Sequence, residues 1–131
     1  MKISTKGRYA LTLMIYLGEE YKNNRFVSLK EVASNENISL KYLEKIVFNL
    51  KKKDFFLTAT GKDGGYKLKR DPSLYSIGEI IRAASENLDV VSCISSESCP
   101  NKKGCRTFLL WEGLTNEINN YLDNRFLSDY L

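Results

Sequence analysis

Residues 28–69 constrain the fold most tightly. They open with Ser28-Leu29-Lys30-Glu31, an S-x-x-E capping box in which hydroxyl and carboxylate each satisfy an orphan amide at a helix start. A short helix is expected from there to about residue 35. Asn37-Ile38-Ser39 interrupts it, Ser39 is a candidate N-cap, and Leu43, Ile46, Val47 and Leu50 recur at i, i+3, i+4, i+7, predicting another helix that ends near Lys52. Phe55-Phe56-Leu57-Thr58-Ala59 and Tyr66-Lys67-Leu68-Lys69 then read as two short strands. The tip between them, Thr60-Gly61-Lys62-Asp63-Gly64-Gly65, is rich in the residue that takes positive φ without cost. Two short helices across a tight turn, followed by a hairpin with a basic tip, form a winged helix-turn-helix. Its last helix enters a major groove while the wing reaches the adjacent backbone or minor groove.

Upstream, Ala10, Leu13, Met14 and Leu17 repeat the helical spacing and predict a first helix over 5–21, with Lys6, Arg8 and Glu19 off its apolar stripe. The polar turn Lys22-Asn23-Asn24-Arg25 and the extended pair Phe26-Val27 join it to the capping box. The polar face of the 39–52 helix carries Lys41, Tyr42, Glu44, Lys45 and Lys52. Charge follows the same division. The net charge is +4, but residues 1–70 hold 15 Lys and Arg against 7 Asp and Glu, whereas residues 71–131 hold 5 against 9. A basic module beside an acidic one suggests a polyanion-binding part joined to a part with another task, since Lys and Arg contacts to phosphate supply most non-specific nucleic-acid affinity. The plainer alternative is a solvated basic face; a lysine on a polar, glycine-rich tip favours nucleic acid.

With 131 residues and 43% hydrophobic content, one modest core can be buried. The opening Met1-Lys2-Ile3-Ser4-Thr5-Lys6-Gly7-Arg8 runs straight into an amphipathic pattern without the apolar stretch of a signal peptide or membrane span, so a soluble, cytoplasmic protein with no membrane association is expected. Enzymatic function has little support. The chain has no histidine, no paired-carboxylate constellation and no phosphate-cradling G-x-x-x-x-G-K.

Asp71-Pro72-Ser73 ends the wing, and Ser76-Ile77-Gly78-Glu79 is a second capping box opening a helix to about residue 84, with Ile77, Ile80 and Ile81 on its apolar side. Residues 91–104 are polar, contain Pro100 and Gly104, and lack periodicity, as a loop does. Over 106–125, Trp111, Leu114, Ile118 and Tyr121 step by 3, 4 and 3, close to a heptad seam that Phe108, Leu110 and Leu122 widen. Such a helix is expected to bury its stripe against a second copy, with Phe108, Trp111, Leu114, Ile118 and Tyr121 at the dimer interface. The alternative is that it folds back on its own core. A twofold protein reads two half-sites, which suits DNA. The expected fold is therefore mainly α with a small β-hairpin. Residues 1–75 form the winged helix-turn-helix DNA-binding domain, and 76–131 hold the cysteine-loop sensor and the long C-terminal dimerisation helix.

All three cysteines fall in that loop region as Cys93-x5-Cys99-x5-Cys105. An odd count argues against a disulfide framework in a reducing compartment. Structural zinc is disfavoured, because there is neither a C-x₂₋₄-C pair nor a histidine. Iron–sulfur clusters accept looser thiolate spacings and a non-cysteine ligand on one iron, so three thiolates plus one unusual ligand are chemically acceptable. Three independent thiols, one acting as a redox switch, are the other possibility.

The sequence resembles the IscR, NsrR and CymR type of bacterial winged-helix regulators, the Rrf-two proteins. The resemblance covers nearly the whole chain. It is carried by Met1-Lys2-Ile3-Ser4-Thr5-Lys6-Gly7-Arg8-Tyr9-Ala10, Ile38-Ser39-Leu40-Lys41-Tyr42-Leu43-Glu44, Gly61-Lys62-Asp63-Gly64-Gly65-Tyr66, Ser76-Ile77-Gly78-Glu79-Ile80-Ile81 and the cysteine spacing. It implies a homodimer on palindromic promoter DNA, acting as a repressor or dual regulator. Ser39, Lys41, Tyr42, Glu44 and Lys45 would lie at the major groove, and Thr60, Gly61 and Lys62 in the minor groove. Lys6, Arg8 and Tyr9 would help hold the phosphate backbone, and Ser28 is counted with these DNA-binding residues. It also implies a [2Fe-2S] or [4Fe-4S] cluster on Cys93, Cys99 and Cys105. Two departures matter. Phe108 stands where IscR-like members carry a histidine ligand, and the first helix offers Gly7 and Arg8 where NsrR-like members use an acidic residue, so the fourth ligand is unassigned among Asp89, Glu97 and the other subunit. The specific expectation is a labile cluster that purified protein can lack. Thr60 replaces a wing arginine, shifting minor-groove contact toward Lys62. The cluster-free alternative is a CymR-like regulator of cysteine or sulfur metabolism, controlled by a partner protein or by thiol oxidation.

Overall fold

A computed structural model describes residues 2–84, 86–94 and 104–131. Each of its first four helices begins at a serine. The hydroxyls of Ser4, Ser28, Ser39 and Ser76 accept the amides of Gly7 (3.2 Å), Glu31 (3.1 Å), Tyr42 (3.3 Å) and Glu79 (3.1 Å). Each cap satisfies an otherwise orphan donor, worth about 1 kcal/mol. The helices so started are α1 (Thr5–Glu19), α2 (Leu29–Glu36), α3 (Leu40–Lys51) and α4 (Ile77–Ala83). α1 is shorter than its apolar pattern suggests, because the chain tightens into a 3-10 turn at Tyr21–Asn23 and leaves through Asn24 in the left-handed region. Asn37, also left-handed, ends α2 and turns the chain into α3, with Ile38 buried beneath the turn.

The wing pairs β1 (Phe56–Ala59) with β2 (Gly65–Leu68) antiparallel, Phe56 opposite Leu68 and Ala59 opposite Gly65. Val27 extends this edge by exchanging two 2.8 Å backbone hydrogen bonds with Tyr66. Only glycine fits at 65: its φ is +144° and a Cβ there would stand 2.2 Å from the Val27 carbonyl oxygen.

One apolar core joins Ala10, Leu13, Met14 and Leu17 of α1 to Val32, Leu43, Ile46, Leu50, Phe55, Leu68 and Ile80. It continues across residue 75, taking in Ala83 and Ala84 and the fully buried Leu127 of a 3-10 turn at Leu127–Tyr130. Tyr75 is its polar pivot. Its hydroxyl donates to the Phe55 carbonyl (2.7 Å) and accepts the Arg70 amide (3.0 Å), while its own carbonyl accepts the Leu127 amide (2.9 Å). The Arg70 guanidinium lies 4.1 Å from the ring centre.

The last helix, α5 (Phe108–Asp123), starts two residues later than its periodicity suggests, with no side-chain cap at Thr107. It docks on α4 where Arg82 reaches Asp123 and donates to Asn119 (2.9 Å); a Cβ on the buried Gly78 would occupy the Asp123 carboxylate. Thr115 is buried and accepts the Val90 amide, and Leu122 packs on Ile77, Ile81 and Leu88. The expected single seam is therefore divided. Phe108, Trp111 and Ile118 are half-buried along the docked side, whereas Leu114 and Tyr121 are exposed, together with Leu109 and Leu110. The reason is angular: Thr115 and Leu122 face α4, and a stripe one residue away on a 3.6-residue turn falls partly outside the contact.

A polar clamp fixes α2 on α1. Arg25 bonds both Glu31 oxygens (2.9 and 2.6 Å) and Glu20 (2.7 Å), and Tyr16 donates to Glu31 (2.7 Å). The Arg25 guanidinium holds the Glu31 carboxyl below its ordinary range, and Arg25 with Asn23 does the same for Glu20. Depressed carboxyl pKa values give stability that is present above about pH 4.5 and is lost as pH falls through the folded values. Chemical denaturation between pH 7 and pH 3 should show this loss, and Arg25→Met should remove about 0.5–1 kcal/mol of it, as befits partly exposed pairs. Tyr75→Phe should cost about 1–2 kcal/mol at neutral pH by leaving the Arg70 amide without its acceptor, while the Phe55 carbonyl keeps the Lys69 amide (3.0 Å); urea titration of the two chains measures it.

Candidate nucleic-acid interface and cysteine segment

The amphipathic pattern of α3 fixes what it offers to solvent. Leu43, Ile46, Val47 and Leu50 are buried, which turns Lys41, Glu44 and Lys45 outward, all exposed. Tyr42 differs from the sequence expectation: it is half-buried at the edge of that face, its ring perpendicular to that of Tyr9 with centres 5.8 Å apart. This edge contact ties the start of α3 to α1. Ser39 is exposed at the α3 N-terminus; its oxygen already accepts the Tyr42 amide, leaving its proton to donate outward.

Lys6 is half-buried, and Arg8 is exposed with its guanidinium donating to the Thr5 hydroxyl (3.2 Å). Ser28 and Lys62 line one cleft of about 440 Å³ between α2 and the wing tip, together with Arg25 and Asp63. At the tip Thr60, Gly61 and Lys62 are all exposed, Gly61 with φ +95°, and a turn closes where the Gly64 amide meets the Gly61 carbonyl (3.1 Å). Asp63 beside Lys62 tempers the positive charge there. The wing base is held to α3 by the Lys51 ammonium, 5.8 Å from the Tyr66 ring centre, and by the Tyr66 ring against Phe56 (5.5 Å). The α3 face, the wing tip and the first turn of α1 each offer exposed hydroxyls or cations, the groups that contact nucleic-acid phosphates.

A model of the Rrf2 family, described as iron-dependent transcriptional regulators, matches residues 3–131. The chain belongs to the Rrf2 family. A curated relative named HTH-type transcriptional regulator IscR, from Yersinia pestis, is 33% identical over 129 residues, spanning 98% of this chain and 78% of the relative. Among solved structures, CymR, the global cysteine regulator of B. subtilis, matches with a TM-score of 0.79 at 33% identity, covering 98% of this chain and 95% of that one. T. potens IscR matches at 0.73 and 29% identity, covering 98% and 85%. The winged-helix fold is that of these Rrf2 regulators, and the chain is a DNA-binding transcription regulator, not an enzyme. Among the described residues no helix is long and apolar enough to cross a membrane.

Cys93 and Cys105 are free, half-buried thiols on the segment between α4 and α5, Cys105 close to the start of α5; Cys99 lies outside the described residues. Among the described residues no three metal-ligating side chains converge. The Cys105 sulfur is 3.4 Å from the Thr107 hydroxyl, and hydrogen bonds from Thr107 hold this thiol below its usual range, toward the thiolate that binds metals. Phe108 is half-buried and presents no donor atom in its side chain.

Two features escaped the sequence reading. Glu86, just past α4, accepts the Ser4 amide (3.0 Å) and the Ser4 hydroxyl, placing a carboxylate at the positive end of α1. Nothing in its sequence context marks it, since the contact spans most of the chain. Phe48 is 65% exposed on the outer face of α3. Its signal was available, as it follows Lys41, Glu44 and Lys45 in the i, i+3, i+4, i+7 series. If the exposed lysines contact phosphates, Lys41→Ala, Lys45→Ala and Lys62→Ala should each keep the fold and lower the slope of log affinity against log salt by about 1; fluorescence anisotropy on duplex DNA at several salt concentrations reads it.

Proposed function

We propose that this chain is a homodimeric repressor of palindromic promoter DNA that takes its signal through Cys93, Cys99 and Cys105, which would hold a labile iron–sulfur cluster. The supporting observation is the placement of two free, half-buried thiols at Cys93 and Cys105, one of them biased toward thiolate, on the segment that joins α4 to α5. Thiolates are the donors such a cluster takes, and the bound group would supply a centre that oxygen, nitric oxide or iron loss can alter.

The chain's own contacts give that segment a route to DNA. Glu86 ties its start to the N-terminus of α1, Tyr9 of α1 abuts Tyr42 of α3, and Arg82 ties α5 to α4. A change in how the segment is held would therefore act on α1, and through it on the angle of α3. Dimerisation is supported by the apolar side chains that α5 exposes at Leu109, Leu110, Leu114 and Tyr121, with Trp111, Ile118 and Phe108 beside them; Gly113 between them would let a second helix approach closely. In this reading 1–75 bind DNA and 76–131 sense and dimerise, in the cytoplasm. Ser39, Lys41, Tyr42, Glu44 and Lys45 take the major groove, Thr60, Gly61 and Lys62 the minor groove, and Lys6, Arg8, Tyr9 and Ser28 the backbone.

A cluster-free regulator, controlled by thiol oxidation or a partner protein, is the second reading. Phe108 favours it, because that position offers no fourth ligand. Anaerobic purification with a visible spectrum and iron and sulfide assays separates the two. The leading reading predicts a coloured protein whose absorption is lost on substitution of any of the three cysteines; a colourless protein that reconstitution cannot charge contradicts it. Promoter binding that still responds to oxidants and loses that response on cysteine substitution then identifies the second.

A further inference from the structure

We infer that Phe48 reads a thymine, its exposed ring taking the 5-methyl group in the major groove that α3 enters. The inference rests on the DNA-binding reading above and adds a base-specific contact to it. Lys41, Glu44, Lys45 and Phe48 follow one another at i, i+3, i+4 and i+7, and the opposite face of α3, Leu43, Ile46, Val47 and Leu50, is buried. At 100° per residue Phe48 falls in the middle of the outward stripe, opposite Leu50 and Ile46 and not at its edge. Its 65% exposure is the largest of any large apolar side chain in the winged-helix half among the described residues.

Scattered exposed apolar residues are ordinary on protein surfaces, so exposure alone decides nothing. Position and support decide here. The residues beside Phe48 on this face of α3, Lys41, Glu44, Lys45 and Lys52, are charged and exposed. The Lys52 ammonium stands 4.6 Å from the ring centre, capping one side of the ring and leaving the rest of it outward. A cation beside an outward aromatic suits a groove, where the methyl of thymine is the apolar feature and phosphates flank it. Cytosine carries only a hydrogen at C5 where thymine carries its methyl, so the expected preference is thymine over cytosine. Phe48 lies one turn beyond Glu44, about 6 Å along the helix, so the thymine should fall about two base pairs from the base that Glu44 faces.

The test uses the full chain and a pool of random-sequence duplex DNA. Bound duplexes are selected and sequenced for the wild-type chain, Phe48→Ala and Phe48→Leu, and each dT of the enriched duplex is then replaced by dU, which removes only the methyl. The wild-type chain should weaken about fourfold at one dT per half-site, the factor expected for one buried methyl-sized group. Phe48→Ala should bind with its salt dependence intact and lose that dU sensitivity, and Phe48→Leu should keep part of it. An enriched sequence with no dU-sensitive position, or one whose dU sensitivity survives in Phe48→Ala, overturns the inference and leaves DNA binding standing. Failure of the wild-type chain to enrich any sequence overturns the DNA-binding reading and this inference together.

Discussion

The buried hydroxyl of Tyr75 holds together parts of the chain that sequence separates widely. It satisfies the Phe55 carbonyl at the entrance of the wing and the Arg70 amide at its exit, while the Tyr75 carbonyl receives Leu127 from beyond α5. A buried polar group is costly unless paired, so this arrangement is stable only when wing, linker and C-terminal turn are all in place. The two ends of the wing are thereby fixed to one another. Phe55, which leads into β1, packs edge-on against the Tyr75 ring at 5.4 Å.

Residues 76–131 share the apolar core through Ile80, Ala83, Ala84 and Leu127, and polar contacts add to that attachment at α5 and just past α4. Arg82 with Asp123 and Asn119 holds α5 on α4, and Glu86 holds the start of the cysteine segment on α1. These contacts are exposed or half-buried, so each is weak compared with the apolar core beneath α1 and α3. The apolar side chains that α5 exposes, Leu109, Leu110, Leu114 and Tyr121, lie outside its contact through Thr115 and Leu122.

Much of this architecture is legible in the sequence because its signals are local. Three of the four serine caps stand out as S-x-x-E or as a serine before an apolar repeat, and the wing is announced by its glycines. Ser4 escaped, having neither a following glutamate nor a preceding helix to break. The division of the α5 seam was hidden because a heptad count cannot say which residues meet α4; Thr115, a polar residue, takes the inward position by bonding the Val90 amide. Tyr42 was placed on the outer face by periodicity alone, whereas a long-range ring contact with Tyr9 draws it to the edge. Lys41, Lys45 and Glu44 fall on the exposed side of α3 where their spacing puts them, and Cys93 and Cys105 are free thiols. Tyr75 and Glu86 were invisible because their meaning lies in partners distant along the chain.

The central claim is that two copies present two α3 helices and two wings to one DNA site. Hydroxyl-radical and base-modification footprinting of the purified chain on the DNA upstream of its own coding region tests it most directly. A dimer of this kind should leave a palindromic protected site whose half-site centres are separated by about ten base pairs or a multiple, with major-groove protection in each half and minor-groove protection flanking it. Protection of a single unpaired half-site, or none at concentrations where the protein is folded, would contradict it.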